Sequence, residues 1–203
     1  MSALSNLTWT EVEEYLRRDN RIILPLGATE EHGPHLGLGT DFIEAEAIAH
    51  LTSEASGVIV APTLNYGMSQ AMMGFPGTIS FSPKTLMAVI EDILNSLHHH
   101  GFQRILIVNG HGGNTAAIEN SVQTMSGISV KLFEWWKDVE TNHVVVETMG
   151  IQAGSHASFA ETALMLAIRP SAVKMEYLSG KDAPVRPSRD LLTVQTFRSV
   201  YPD

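Results

Sequence analysis

The sequence sets short, almost unbroken apolar runs between longer helical patterns: RIILPLG at 21–27, GVIVAPT at 57–63, FQRILIVNG at 102–110 and ISVKLFEWW at 128–136. Runs of this length with no polar alternation are buried on both faces, as strands are in a parallel sheet covered by helices. Between them, 41–55, 82–101 and 114–125 read as helices, and 159–168 reads as a last helix that stops before Pro170. In 82–101, Ser82 is placed to cap and Pro83 to start the helix. Leu86, Val89, Ile90, Ile93, Leu94 and Leu97 fall on one face, and Gly101 ends the pattern. The alternation predicts a doubly wound α/β fold, a parallel sheet with crossover helices. Beyond Pro170 no strong periodicity remains, so the tail either wraps the domain or belongs to a chain cut short.

A chain of 203 residues with 44% hydrophobic content supplies one sizeable core, so residues 1–203 read as a single domain. The net charge of -9 leaves no basic stripe for phosphates, which argues against nucleic acid and anionic membrane surfaces. The first twenty residues hold no apolar targeting core, and no apolar run is long enough to span a bilayer. The expectation is a cytoplasmic protein whose partner is a small-molecule substrate or another copy of itself. With no cysteine, a metal has to be held by imidazole and carboxylate, which favours zinc, manganese or iron.

Such side chains collect where strands end. GATEEHGPHLGLGTD at 27–41 leaves the first strand, and NGHGGN at 109–114 leaves the third. Ligand sites of open parallel sheets gather at these carboxyl ends. Glu30 and His32, two apart on extended backbone, aim the same way, and the glycine-rich loop can return Asp41 beside them. His111 joins from the same sheet edge. A third segment, GSHASFAET at 154–162, adds His156 and Glu161.

Taken singly, each piece has an ordinary explanation. Glu30 and Glu31 suit a solvated loop, Asp41 suits a helix start, and the glycines of NGHGGN suit a turn or a phosphate cradle. His98, His99 and His100 fall in a last helical turn, where they meet the free carbonyls, and read as structural. Met68, Met72 and Met73 read as core filler or the apolar wall of a pocket. Of Trp135 and Trp136 at most one is expected in the core, leaving the other for a pocket or an interface. Ordinary explanations do not account for acids and histidines from three segments at one edge of one sheet.

The four segments GATEEHGPHLGLGTD, GFPGT, ILIVNGHGGN and GSHASFAET resemble, in the same order, the signature segments of the creatininase (creatinine amidohydrolase) family. The resemblance implies a three-layer α/β/α sandwich with a mostly parallel central sheet, and a centre of two divalent metal ions, zinc, manganese or iron. It also implies hydrolysis of a carbon–nitrogen bond in a cyclic amide or related group, and a homohexamer. By this resemblance Glu30 and His111 bind one metal, His32 binds the other, Asp41 bridges them, and His156 acts on the substrate. The creatinine-hydrolysing members take a further glutamate as ligand where this chain has Gly113, so Glu161 becomes the candidate for that place. They also cover the substrate with a tryptophan where this chain has Gln152, and relatives carry histidine near Met72 and Met73, so creatinine is not the expected substrate. Trp136 and Met72, with Gln152, are the expected substrate contacts; Glu31 and His35 are expected to support the ligands by hydrogen bonding. Open alternatives are a formamidopyrimidine deformylase, a cyclic-ketone hydrolase and a non-catalytic metal-binding assembly subunit.

Overall fold

A computed structural model of the chain describes residues 3–150 and 156–178. Three strands, β1 (Arg21–Leu26), β2 (Arg104–Asn109) and β3 (Ser129–Glu134), pair in parallel in that order. The apolar stretch 57–63 lies along the free side of β1 but is no continuous strand. It is tied by isolated bridges, Ile23 to Val60 and Leu26 to Leu64. Ala61 N–H donates to the Ile23 carbonyl at 2.8 Å, and the next donor to β1 is Leu64, at 3.0 Å from the Pro25 carbonyl. That spacing is three residues rather than two. Pro62 brings no N–H, and a residue is left over there, as at a bulge.

The order across the sheet is therefore 57–64, β1, β2, β3, and the connections leave β1 in opposite directions. The helix α2 (Thr40–Ser56) covers one face, where Ile23, Val60 and Val108 pack on Ala45 and Ala49. The other face is covered by α3 (Pro83–His99) and α4 (Thr115–Thr124): Ile22, Leu24, Leu26, Ile105 and Ile107 meet Leu86, Ile90, Leu94 and Ile118. Alternate residues of β1 serve opposite faces, the period of a strand buried on both sides. The result is the three-layer α/β/α arrangement. It also puts a topological switch point between the carboxyl ends of β1 and β2, where open α/β sheets bind ligands.

The caps follow local chemistry. Ser82 Oγ accepts the Thr85 N–H at 3.2 Å, and His98 and His99 close α3 as basic residues in its last turn. Two helices went unread in the sequence. One is α1 (Trp9–Leu16), whose Thr8–Glu11 capping box was a legible start signal; the other is α5 (Val139–Met149), capped by Asp138. The last apolar run also ends early: β3 stops at Glu134, and Trp135–Lys137 turns away as a single short helical turn. Finally, α6 (Phe159–Ile168) packs beside α2, with Met165 buried against Ile43, Leu36 and Val173. Among the described residues no helix is long and apolar enough to cross a membrane.

Candidate metal centre

The loops leaving β1 and β2 are pinned before any ligand is placed. Asn109 accepts the His111 N–H at 3.1 Å and donates to the His111 carbonyl at 2.8 Å and to Glu134 Oε1 at 3.0 Å. Asn114 donates to the Gly27 carbonyl at 2.9 Å and accepts the Met68 N–H at 3.0 Å, joining both loops to the segment before GFPGT. Gly110 is bare for a reason: a Cβ there would lie 2.0 Å from the Asp41 carbonyl oxygen. Only glycine lets the end of β2 come so close to the first turn of α2.

Asp41 then becomes the centre. Its Oδ1 lies 2.8 Å from His32 Nε2, and its Oδ2 lies 2.8 Å from His111 Nδ1. Around it stand two triads of donors, Glu30 with Asp41 and His111, and His32 with Asp41 and Glu161, each set within 4.8 Å. His111 Nε2 is 3.5 Å from Glu30 Oε2, and His32 Nε2 is 3.7 Å from Glu161 Oε1. All five side chains are buried. Asp41 Oδ2, 2.8 Å from His111 Nδ1, is buried and meets no donor in regular hydrogen-bond alignment. That orphaned oxygen, inside a set of nitrogen and oxygen donors without sulfur, fits zinc or manganese.

Charge in the protein without metal follows from this crowding. Burial presses the His32 pKa down, but Asp41 and Glu161 outweigh it and hold it well above the usual histidine value. His111 is likewise opposed by burial and carried by Asp41 and Glu30 up to about 9. Burial works to raise Asp41, yet its two histidines leave it well below the usual carboxylate range. The His32 ring is aimed by its other nitrogen, 3.0 Å from the Glu30 carbonyl.

Glu161 serves two neighbours. Its Oε2 accepts the Ser158 N–H at 2.6 Å, the reciprocal arm of the capping box that starts α6, and Oε1 is left for the centre. At Gly113 a Cβ would sit 2.4 Å from His111 Nε2 and 2.5 Å from the Met68 carbonyl. No carboxylate fits there while His111 stays where it is. His156 Nδ1 lies 3.2 Å from Glu30 Oε1 and its Nε2 3.0 Å from Glu31 Oε1. His35, expected to support the ligands, reaches Thr162 Oγ1 on α6 at 2.9 Å.

A pocket of about 300 Å³ opens over the five donors and His156, walled by Met68, Met72, Trp135 and Trp136 above the bare Gly112 and Gly113. Trp135 is buried and Trp136 half-buried, in edge-to-face contact at 5.9 Å, so both tryptophans meet the pocket. Met73 is 48% exposed and is not part of the pocket wall. Gln152 lies outside the described residues. One acid escaped the sequence reading: Glu44, one turn beyond Asp41 on α2, is fully buried with both carboxylate oxygens unpartnered. Its only signal was an acid on the inward face of an apolar helix.

Comparison with known proteins converges on one family. The Creatininase family model, described as creatinine amidohydrolase, matches residues 5–203. The creatinine amidohydrolase of Pseudomonas putida is 29% identical over 219 residues, covering 98% of this chain and 84% of that protein. The mycofactocin precursor peptide peptidase of Mycolicibacterium smegmatis is 33% identical over 171 residues, covering 81% of this chain and 64% of that one. Among solved structures, a manganese creatininase superposes with TM-score 0.81 at 28% identity, covering 88% of this chain and 77% of its own. A Zn–Zn creatininase variant superposes with TM-score 0.78 at 29% identity over the same shares.

Proposed function

This chain belongs to the creatininase family, and from that premise we propose that it is a metal-dependent amidohydrolase that cleaves a carbon–nitrogen bond of a small cyclic amide or related compound. The observation that carries the reading is Asp41, whose two oxygens each stand 2.8 Å from a histidine of a different donor triad. Glu30, His111 and Asp41 would hold one divalent ion, and His32, Asp41 and Glu161 the other. Two such ions, when bound, lower the pKa of a water and polarise the carbonyl it attacks.

The remaining work falls to the chain. Burial of the five donors excludes competing water from beneath the substrate. His156, exposed at the pocket mouth, moves a proton to the leaving nitrogen, which departs poorly until protonated. Met72 and Trp136 face the substrate with Met68 and Trp135, an apolar and aromatic wall suited to a planar group. The same reading takes residues 1–203 as one domain, working in the cytoplasm as a homohexamer by family resemblance.

A second reading, cleavage of a peptide amide, is favoured by the 33% identity to the mycofactocin precursor peptidase. Both are tested by metal analysis of protein purified without added metal, followed by turnover of hydantoins, lactams, formamidopyrimidines, short peptides and creatinine with zinc or manganese. Chelator-sensitive turnover of a cyclic amide is expected, with creatinine a poor substrate. Turnover that survives complete metal removal would refute the reading.

A further inference from the structure

We propose that Glu134 is a positioning residue for His111, holding both ends of the loop that carries this ligand, so that it governs one of the two metal places and not the other; this rests on the hydrolase reading above. Glu134 belongs to neither donor triad and is not part of the pocket lining, yet it is buried at the carboxyl end of β3. In the parallel pair it stands in register with Asn109, so the two side chains are neighbours across the sheet. Its carboxylate is fully engaged. Oε1 accepts from Asn109 Nδ2 at 3.0 Å and from the Thr115 hydroxyl at 2.5 Å, and Oε2 pairs with Lys137. Thr115 Oγ1 also lies 3.0 Å from the Gly112 carbonyl, but its single hydrogen favours the shorter contact, to a charged oxygen. Asn109 and Thr115 flank His111, two residues before it and four after.

The link from Glu134 to His111 runs through Asn109. An amide nitrogen carries two hydrogens. One of those on Asn109 Nδ2 goes to the His111 carbonyl at 2.8 Å and the other to Glu134, which leaves Oδ1 facing the His111 N–H at 3.1 Å. Without the carboxylate, one hydrogen loses its acceptor in a buried place. The amide is then free to turn, and both of its bonds to the His111 backbone go with it. Asn114 pins the same loop on the side of β1, to Gly27 and Met68, and Glu134 pins it on the side of β3.

A buried carboxylate is a poor way to stabilise the end of a sheet, because its desolvation offsets most of what its partners return. What it supplies here is geometry. Lys137 comes from the turn that carries Trp135 and Trp136, so the pocket wall and the ligand loop are braced on one group. The consequence for metal is asymmetric. The triad of Glu30, Asp41 and His111 depends on the 109–115 loop, whereas His32, Asp41 and Glu161 are supplied by 27–41 and α6. Groups that orient a ligand from behind commonly govern metal affinity by about ten- to a hundredfold.

The first test is amide hydrogen exchange of the metal-free protein, followed by NMR. In Glu134→Leu the His111 N–H should exchange at least about tenfold faster than in the wild type, while the Glu161 N–H, held by Ser158 Oγ, should keep its rate within about twofold. The second test titrates zinc against a competing chelator dye. In a His32→Ala background, where the His111 triad remains, Glu134→Leu should weaken binding about ten- to a hundredfold; in a His111→Ala background the affinity should change by less than about twofold. A merely structural role would instead speed exchange at both amides and weaken both places alike. That outcome, unchanged exchange at His111, or unchanged affinity at the His111 triad would each overturn the proposal. If Glu134→Leu does not fold by circular dichroism, Thr115→Val takes its place, with the same selectivity and a smaller loss of about fivefold, the scale of one hydrogen bond. Should the wild type bind no zinc, the hydrolase reading fails, and exchange at His111 alone decides for or against Glu134.

Discussion

His111 Nδ1 stands 2.8 Å from Asp41 Oδ2, a buried oxygen that no donor meets in regular hydrogen-bond alignment. That oxygen, at the floor of the pocket, is one that a cation can take up. The other oxygen of Asp41 meets His32 at the same distance, so one side chain belongs to two donor triads.

Asp41→Ala is therefore expected to lose both metal equivalents, and His32→Ala chiefly one. Elemental analysis after gel filtration measures this. Two full equivalents retained by the Asp41 variant would remove the basis for a shared ligand.

Glu161→Gln should lose about one equivalent of metal while keeping its cap, since an amide oxygen can still accept the Ser158 N–H. The metal-free variant should unfold within about 1 kcal/mol of wild type, the scale of one capping interaction. The converse change, Gly113→Glu, should not restore a ligand. Its Cβ alone would collide with His111 and the Met68 carbonyl, so binding at the Glu30 and His111 triad should fall as well. Wild-type metal content in Glu161→Gln would mean that something else completes the second triad.

The stability of the metal-free chain should depend on pH in two ways with known signs. His111 is raised to about 9, so its contribution is complete below the unfolded value near 6.5 and is lost as pH climbs through about 9. If the whole shift reached stability, this would be on the order of 3 kcal/mol. Asp41 is depressed, so its contribution is complete above the ordinary carboxylate value and is lost in acid. Urea unfolding in the presence of a chelator, followed from about pH 4 to 10, should show stability falling between about pH 6.5 and 9. A flat profile there would mean that the pairing with Asp41 does not stabilise the fold. Metal displaces the proton on His111, so adding zinc near pH 7 should release protons into a weak buffer.

Glu44 should act with the opposite sign to an ordinary paired acid. Burial first, then Glu161 and Asp41, push its pKa well above the usual 4.5. The folded chain keeps a proton that the unfolded chain gives up, so stability declines as pH rises past that value. Glu44→Leu removes both the titration and two unpartnered buried oxygens, and should stabilise the metal-free chain by on the order of 1–3 kcal/mol at about pH 8. The gain should shrink at about pH 4. A less stable variant at pH 8 would show that Glu44 has a partner when the chain is in solution.

Most of the elements were written locally. Leu86, Ile90, Leu94 and Leu97 announce the buried side of α3 by their spacing, and Ser82 and Gly101 mark its ends. The runs around Ile23 and Ile107 announce buried parallel strands because nothing polar interrupts them. The same locality explains the errors: the 57–63 ladder is interrupted where Pro25 of β1, which has no N–H to give, lies across from it, and Trp135 turns out of β3 to meet the pocket. The chemistry of the centre was legible as residue types at strand ends, in GATEEHGPHLGLGTD and NGHGGN. What belongs to the folded chain alone is which atoms meet. His32 and Glu161 are far apart in sequence and face each other because α6 packs on α2; Glu44 is buried by the same packing. Periodicity and capping act over one or two helical turns and fix what a segment becomes. The distances between segments are set by how close their side chains allow them to pack, as bare Gly110 against Asp41 shows, and no local pattern carries that information.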